Sequence, residues 1–92
     1  MLYVYILRSH SRPRRRYTGF TYTLERRIEQ HNLGLVPSTA SFRPWELVAA
    51  ILFADTQRGI SFEKYLKSGS GRAFSKRHFW IEEDDIKRAC PP

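Results

Sequence analysis

The sequence has little of what stabilises or anchors a secreted or membrane protein. It contains a single cysteine, Cys90, which excludes an internal disulfide and a cysteine-based zinc site. Its longest apolar run, residues 47–54, has eight residues, whereas a membrane helix needs about 20. No charged leader or apolar segment precedes the first strand-like residues, so we expect no signal peptide. The expected location is therefore the cytoplasm, with no membrane partner.

Acidic residues are also scarce. Nine Asp and Glu stand against sixteen Lys and Arg, which gives a formal charge of +7, and the hydrophobic share of 41% is typical of a folded domain. Residues 1–81 carry the basic surplus, whereas residues 82–92 hold four acids and two bases. We expect one domain over residues 1–81 and an acidic, frayed or weakly helical tail over residues 82–92. Because a basic surplus attracts phosphate backbones, the expected partner is DNA, with RNA as an alternative.

The hydrophobic pattern predicts three strands and three helices in the order β-β-α-β-α-α. The strand segments are rich in β-branched and aromatic residues, and the helical segments lie between capping residues and breaks. The expected strands are residues 2–7, 17–22 and 45–53, and the expected helices are residues 24–33, about 56–68 and 72–80. This order predicts an α/β (α+β) sandwich of about three mostly antiparallel strands with helices packed on the sheet.

Local signals define the first predicted helix. Thr23 is an expected N-cap, and Gly34 is an expected C-terminal stop. A rotation of about 100° per residue places His31 on the apolar stripe of this helix and Arg27 on the edge of the stripe.

The second and third predicted helices are separated by a glycine-rich segment. Asp55 or Thr56 is expected to cap the second helix. Its buried side is expected to carry Phe62, Tyr65, Leu66 and Gly69. Glu63 is expected at the margin of that side. Residues 68–71 are expected to break the helical structure before the third helix.

Two tyrosines are expected to meet across the hairpin formed by the first two strands. Side chains alternate along a strand, so Tyr17 and Gly19 share a face, and antiparallel pairing brings Tyr5 beside Tyr17. Taken singly, each tyrosine is typical of simple packing in a sheet. Gly19 weakens a strand unless a bulge or a close backbone approach requires it, so the approach of a ligand is one interpretation.

Two tyrosine motifs and three further polar residues follow one another in a characteristic order. The motifs are residues 3–5 (YVY) and 17–19 (YTG), and the further residues are Arg27, His31 and Glu63. Over about residues 2–79, this series resembles the GIY-YIG nuclease superfamily. The phrases YVYIL, YTGFT, ERRIEQHN and FEKYLKSGSGRAF are similar to small stand-alone bacterial proteins related to the nuclease domain of an excinuclease. The resemblance implies a GIY-YIG-like sandwich that cleaves a phosphodiester with one divalent ion, Mg²⁺ or Mn²⁺.

The resemblance also assigns roles to five catalytic residues. Tyr5 is expected to act as the general base, which requires a pKa below the ordinary phenol value of about 10. Tyr17 is expected to position water or phosphate, and His31 to orient the nucleophile or accept a proton. Arg27 is expected to contact phosphate through its planar guanidinium, and Glu63 to bind the metal ion.

Some of these residues have a purely structural alternative. Glu63 can pair with Lys67 one helical turn later, and His31 can be a core histidine with its hydrogen bonds satisfied. An Asn that many relatives carry beyond the glutamate has no counterpart in residues 75–78. These features favour, as the alternative function, a nucleic-acid-binding module of the same fold with weak or absent catalysis. A protein-interaction domain is a third interpretation.

Eight further basic residues are expected to contact nucleic-acid backbone, where contacts set affinity and position rather than sequence choice. They are Arg12, Arg14, Arg15, Arg16, Arg43, Arg72, Lys76 and Arg77. No helix-turn-helix or zinc finger is recognisable, so we expect recognition of DNA structure, or help from a partner protein or a homodimer. The sequence therefore predicts a metal-dependent endonuclease that hydrolyses DNA phosphodiester bonds in DNA repair or processing.

Overall fold

A three-stranded sheet with helices on both faces forms the protein in the computed structural model, which describes residues 1–80. The elements are β1 (Leu2–Ser9), β2 (Arg16–Thr21), α1 (Leu24–Asn32), a short 3₁₀ turn (Ala40–Phe42), β3 (Trp45–Phe53), α2 (Thr56–Leu66) and α3 (Gly69–His78). Both strand pairs are antiparallel, and the strand order is β2-β1-β3. The predicted α/β (α+β) class and the order β-β-α-β-α-α are confirmed.

The expected acidic tail, residues 82–92, lies outside the described residues. Within residues 1–80, no helix is long and apolar enough to cross a membrane.

β1 is the central strand and is covered on both faces. On one face, Val4 and Ile6 pack with Leu66 of α2. On the other face, Tyr5 packs in a second cluster with Ile28 of α1. The sheet therefore separates α1 from α2 and α3, and this double burial explains the unbroken run of apolar and aromatic residues in β1.

The helix ends agree with the sequence signals in three places. Gly34 follows α1 with φ +78, and its N–H donates to the carbonyl oxygen of His31 at 3.2 Å. Asp55 caps α2 by accepting from two N–H groups of the first turn. Thr23 occupies the N-cap position of α1, but its side chain accepts no capping hydrogen bond. The expected N-cap position is therefore confirmed, but without a side-chain capping bond. The backbone N–H of Thr23 donates to the hydroxyl of Thr21.

α3 begins at Gly69, three residues before the expected start at residue 72. The expected interruption is confined to the turn before it, because the hydroxyl of Ser68 accepts from the N–H of Gly71 and caps the helix. A Cβ on Gly71 would lie 1.8 Å from the carbonyl oxygen of Tyr65. Gly71 is therefore needed for the close contact between α2 and α3, and it does not break the helix.

The expected buried side of α2 is confirmed in part, because Leu66 is buried and Phe62 packs against the core. Gly59, Glu63 and Leu66 are buried at the spacing of one helical stripe, whereas Tyr65 is 40% exposed and Gly69 is exposed. Gly59 lies against the side chain of Leu2, and this close packing turns its side of α2 towards the sheet. The hydrophobic pattern does not indicate this side, because glycine has no apolar side chain. Glu63, expected at the margin, is consequently buried.

Candidate active site

Two tyrosines and a histidine form an aromatic cluster between β1, β2 and α1. The hydroxyl of Tyr5 lies 2.8 Å from Nε2 of His31. The ring of Tyr17 lies edge-on to the imidazole, with the ring centres 4.8 Å apart, and 6.0 Å from the ring of Tyr5. The predicted meeting of Tyr5 and Tyr17 is confirmed. The pairing of β1 with β2 sets it, since Tyr5 lies opposite Gly19.

Gly19 leaves the space that this cluster occupies. A Cβ at this position would lie 2.8 Å from the Tyr5 hydroxyl oxygen and 2.8 Å from Cε1 of Tyr17. The two phenols therefore make the close approach that requires a glycine at position 19. The sequence had suggested a ligand as one interpretation of this glycine.

A chain of hydrogen bonds fixes the imidazole of His31. The hydroxyl of Thr39 donates to the carbonyl oxygen of Val36 at 3.3 Å and lies 2.8 Å from Nδ1 of His31. Because a hydroxyl has one proton to donate, Thr39 must accept from Nδ1–H. Nε2 then carries the lone pair that accepts the proton of Tyr5. The chain therefore holds Tyr5 as a neutral phenol that donates to a neutral imidazole.

Burial controls the protonation of both groups. Burial, followed by the charge of Arg27, lowers the pKa of His31 to about 4. Burial raises the pKa of Tyr5 to about 12, although the nearby Arg27 guanidinium acts in the opposite direction. Burial outweighs the effect of the Arg27 guanidinium, so Arg27 alone does not give the expected lowering of the Tyr5 pKa. Both side chains are 0% exposed, so in this conformation neither contacts a substrate.

Arg27 and Tyr17 are the members of this region that reach the surface. Both are half-buried. The guanidinium of Arg27 donates to Oε1 of Gln30 at 3.2 Å, and the two phenols, Tyr5 first, raise the Arg27 pKa further. A permanently charged, planar donor thus lies beside the half-exposed phenol, which is an arrangement suited to a phosphate group.

Glu63 lies on a different helix from Arg27 and His31. It is on α2, which packs on the opposite face of the sheet from α1. Its side chain is buried, with 7% of the residue exposed, and its carboxylate forms an ion pair with Lys67 at 2.5 Å. Lys67 Nζ approaches Oε1 of Glu63, so the buried carboxylate is compensated by one cation.

A single carboxylate limits the kind of metal site that this protein can offer. Within residues 1–80, no group of three or more His, Cys, Asp and Glu side chains could hold a metal ion. Mg²⁺ is commonly held by one or two carboxylates, with water and substrate phosphate oxygens as further ligands. The buried carboxylate of Glu63 fits this mode, provided that Lys67 releases it.

A cavity of about 590 Å³ lies between β2, α2 and α3. We call it the basic cavity, because four of its nine lining residues are cationic. It is lined by Arg16, Tyr17, Thr18, Leu66, Lys67, Arg72, Ser75, Lys76 and Trp80. Tyr17 and Lys67 therefore both line this cavity. The cavity connects the aromatic cluster with the ion-pair partner of Glu63 at the β2 edge of the sheet.

The structure brings only some of the predicted residues together. Tyr5, Tyr17, Arg27 and His31 gather on the α1 face, and Glu63 lies on the α2 face. Among the expected nucleic-acid contacts, Arg16, Arg72 and Lys76 line the basic cavity. The remaining five are exposed elsewhere on the surface: Arg12, Arg14, Arg15, Arg43 and Arg77.

Sequence reasoning missed two residues of this region as site residues. The sequence indicated Lys67 as a pairing partner of Glu63, but it did not indicate that Lys67 lines the basic cavity. Trp80 stacks under the guanidinium of Arg16, with 4.2 Å between the guanidinium carbon and the ring centre. No local pattern indicates this contact, because Arg16 and Trp80 are far apart in the sequence.

Comparison with known proteins identifies the family. The model of the GIY-YIG catalytic domain matches residues 1–77. The structure-specific endonuclease subunit SLX1 of Podospora anserina is 43% identical over 67 residues, which cover 65% of this chain. The chain spans only 19% of that relative's length. The solution NMR structure of the UPF0213 protein BH0048 from Bacillus halodurans superimposes with a TM-score of 0.53 at 27% identity, covering 99% of this chain and 100% of that one.

Proposed function

The chain belongs to the GIY-YIG family, and we propose that it is a metal-dependent endonuclease that hydrolyses DNA phosphodiester bonds. The observation that carries this proposal is the placement of Tyr17 at the wall of the basic cavity, with the half-buried Arg27 near its phenol and the buried Tyr5–His31 pair behind it. The name of the Podospora relative, a structure-specific endonuclease subunit, supports endonuclease activity. DNA as the substrate and DNA repair or processing as the setting are part of our proposal. Help from a partner protein or a homodimer belongs to the same proposal.

Hydrolysis requires a water oxygen to attack phosphorus while the bond from phosphorus to the leaving oxygen breaks, and overall one proton passes from the water to the leaving oxygen. We assign the substrate contacts to Arg27, which neutralises charge on the phosphate oxygens, and to Tyr17, whose hydroxyl orients water or phosphate. Tyr5 and His31 are positioning residues, because their hydrogen bond and their packing fix the ring of Tyr17. The sequence-based assignment of Tyr5 as general base is revised accordingly.

Glu63 would hold the divalent ion of this proposal through the carboxylate that now faces Lys67. The ion, when bound, supplies positive charge for the phosphate oxygens and the leaving oxygen. Mg²⁺ or Mn²⁺ fits a site with one carboxylate. Because Tyr17 and the C-terminal end of α2 both border the basic cavity, Glu63 would approach the substrate at the β2 edge.

Cleavage of DNA tests this proposal directly. Purified protein is incubated with supercoiled and branched DNA in Mg²⁺, Mn²⁺ or EDTA, and the products are separated on gels. We expect metal-dependent nicking that Arg27→Ala and Glu63→Gln each reduce at least about a hundredfold, the scale of loss when a charge-stabilising group is removed. Arg26→Ala and Glu29→Gln are matched controls, because both residues are exposed on α1, and they should retain cleavage. Equal cleavage by all four variants would remove support for this site.

One observation favours a second candidate function. The ion pair between Glu63 and Lys67 is the structural alternative expected from the sequence, and it occupies the proposed metal ligand. A nucleic-acid-binding module without turnover would keep this pair and would bind DNA in a salt-sensitive manner without products under any metal condition. Failure to bind DNA or RNA at low salt would instead favour the protein-interaction alternative.

A further inference from the structure

The basic cavity has a composition that contact with a paired DNA backbone alone does not require. Its exposed residues are cationic: Arg16, Lys67, Arg72 and Lys76. Its buried residues are Leu66, Ser75 and Trp80, so the floor is mostly apolar. Phosphate contacts need charge and donors but no apolar floor. The cavity therefore fits a ligand that combines an anionic part with a flat apolar part.

The Arg16 side chain offers a flat surface at this cavity. Its guanidinium lies over the ring of Trp80 at 4.2 Å. Trp80 is largely buried, so the indole holds the guanidinium in place and is covered by it. Among residues 1–80, Arg16 is exposed, so its outer plane can take a second flat group. Nucleobases stack on guanidinium planes in this way.

The size of the cavity and its position limit the ligand further. A volume of about 590 Å³ lies within the range of ordinary small-ligand sites, which is about 300–1,000 Å³. The cavity is concave and borders Tyr17, the proposed contact of the cleaved phosphate. A base that remains paired within a duplex cannot enter a concave site of this kind, because it is stacked between its neighbours.

We propose that the basic cavity is a subsite for one unpaired or extruded nucleotide next to the phosphodiester held at Tyr17. Its base stacks on the guanidinium of Arg16, and its phosphate contacts Lys67, Arg72 and Lys76. The inference rests on the proposed function for the identity of the cleaved bond, and it names the substrate class as DNA that contains an unpaired nucleotide. Fully paired duplex lacks a group that can occupy the cavity.

The first loop provides a matched control for this contact. Arg15 makes the same kind of stack on an aromatic ring, with its guanidinium carbon 4.6 Å from the ring centre of Phe42. Arg15 does not line the basic cavity. Replacing Arg15 or Arg16 by lysine keeps the charge and removes the flat guanidinium, so the two variants differ mainly in whether the cavity is affected.

Binding measured in EDTA, where no cleavage interferes, tests the subsite. Fluorescence anisotropy compares a fully paired duplex with a duplex of the same length that carries one unpaired 2-aminopurine nucleotide. We expect the second duplex to bind tighter by between about fivefold and a hundredfold, the equivalent of one stacked base, and its 2-aminopurine emission to rise on binding, because the base leaves the stack of its neighbours. Arg16→Lys should abolish both effects, and Arg15→Lys should retain both. Arg16 is exposed, so its replacement leaves the fold intact.

The results separate this inference from the proposed nuclease activity. Equal affinity of the wild-type protein for the two duplexes would overturn the subsite, and so would a preference that survives in Arg16→Lys. A protein that shows the preference but cleaves nothing keeps the subsite and refutes the nuclease. Conversely, cleavage without any preference keeps the nuclease and overturns the subsite.

Discussion

Acidification should destabilise this protein through His31. The imidazole is completely buried, and both of its ring nitrogens have partners, Tyr5 and Thr39. Its pKa is lowered to about 4, first by burial and then by the charge of Arg27. In the unfolded chain an ordinary histidine has a pKa of about 6.5. The unfolded state therefore binds a proton at a pH where the folded state does not.

The sign and size of the effect follow from proton linkage. The stability that depends on neutral His31 is fully present above about pH 6.5 and is lost as the pH falls towards about 4. Between about pH 7.5 and pH 5, the two pKa values predict a loss of about 2 kcal/mol. A small domain has about 5–15 kcal/mol of stability in total, so the change is large enough to measure.

Urea unfolding followed by circular dichroism at about pH 7.5, 6 and 5 measures this loss, since small domains unfold in one step. His31→Gln removes the titrating ring and keeps an amide that can bond to Tyr5, so its stability should change far less over this range. His10→Gln replaces an exposed histidine of the first loop and should behave as the wild type does. A wild-type stability that stays constant from about pH 7.5 to 5 would refute the reasoning, as would an undiminished loss in His31→Gln.

Two further predictions concern α2 and α3. Gly71→Ala should lower the free energy of unfolding by about 1–3 kcal/mol, because its Cβ would collide with the carbonyl oxygen of Tyr65. At Gly69 a Cβ would meet nothing within 4 Å, so Gly69→Ala should leave the free energy of unfolding unchanged or raise it by up to about 1 kcal/mol. Urea unfolding compares the two variants, and similar results would contradict the close contact between Gly71 and Tyr65. Lys67→Met should raise the affinity of Glu63 for Mn²⁺ by about fivefold, the equivalent of about 1 kcal/mol, in isothermal titration; an unchanged affinity would show that the ion pair does not compete with the metal.

The sheet and helix order could be predicted because each signal is local. Alternation and apolar runs define strands, and Gly34 and Asp55 act on the helix ends beside them. The start of α3 was misplaced, because a glycine such as Gly71 is identical in sequence whether it breaks a helix or permits a close helix contact. Only the packing of α2 against α3 distinguishes the two cases.

The candidate site was predictable in its aromatic half and not in its electrostatics. Strand alternation is enough to bring Tyr5 beside Tyr17, and helix periodicity is enough to turn His31 towards them. The direction of the Tyr5 pKa depends on how completely β1 is covered, which is a property of the whole fold. The contact between Arg16 and Trp80 joins β2 to the residues after α3, and no local pattern records so distant a pair.

The edge position of β2 determines where a substrate must lie. The sheet places the neutral Tyr5–His31 pair on one face and the charged Glu63–Lys67 pair on the other. Within residues 1–80, Tyr17 belongs both to the aromatic cluster of the first face and to the cavity of the second. It can do so because β2 has a neighbour on one side only. A phosphodiester that uses groups from both faces must therefore cross the edge of β2 at Tyr17, with the adjoining nucleotide directed into the basic cavity.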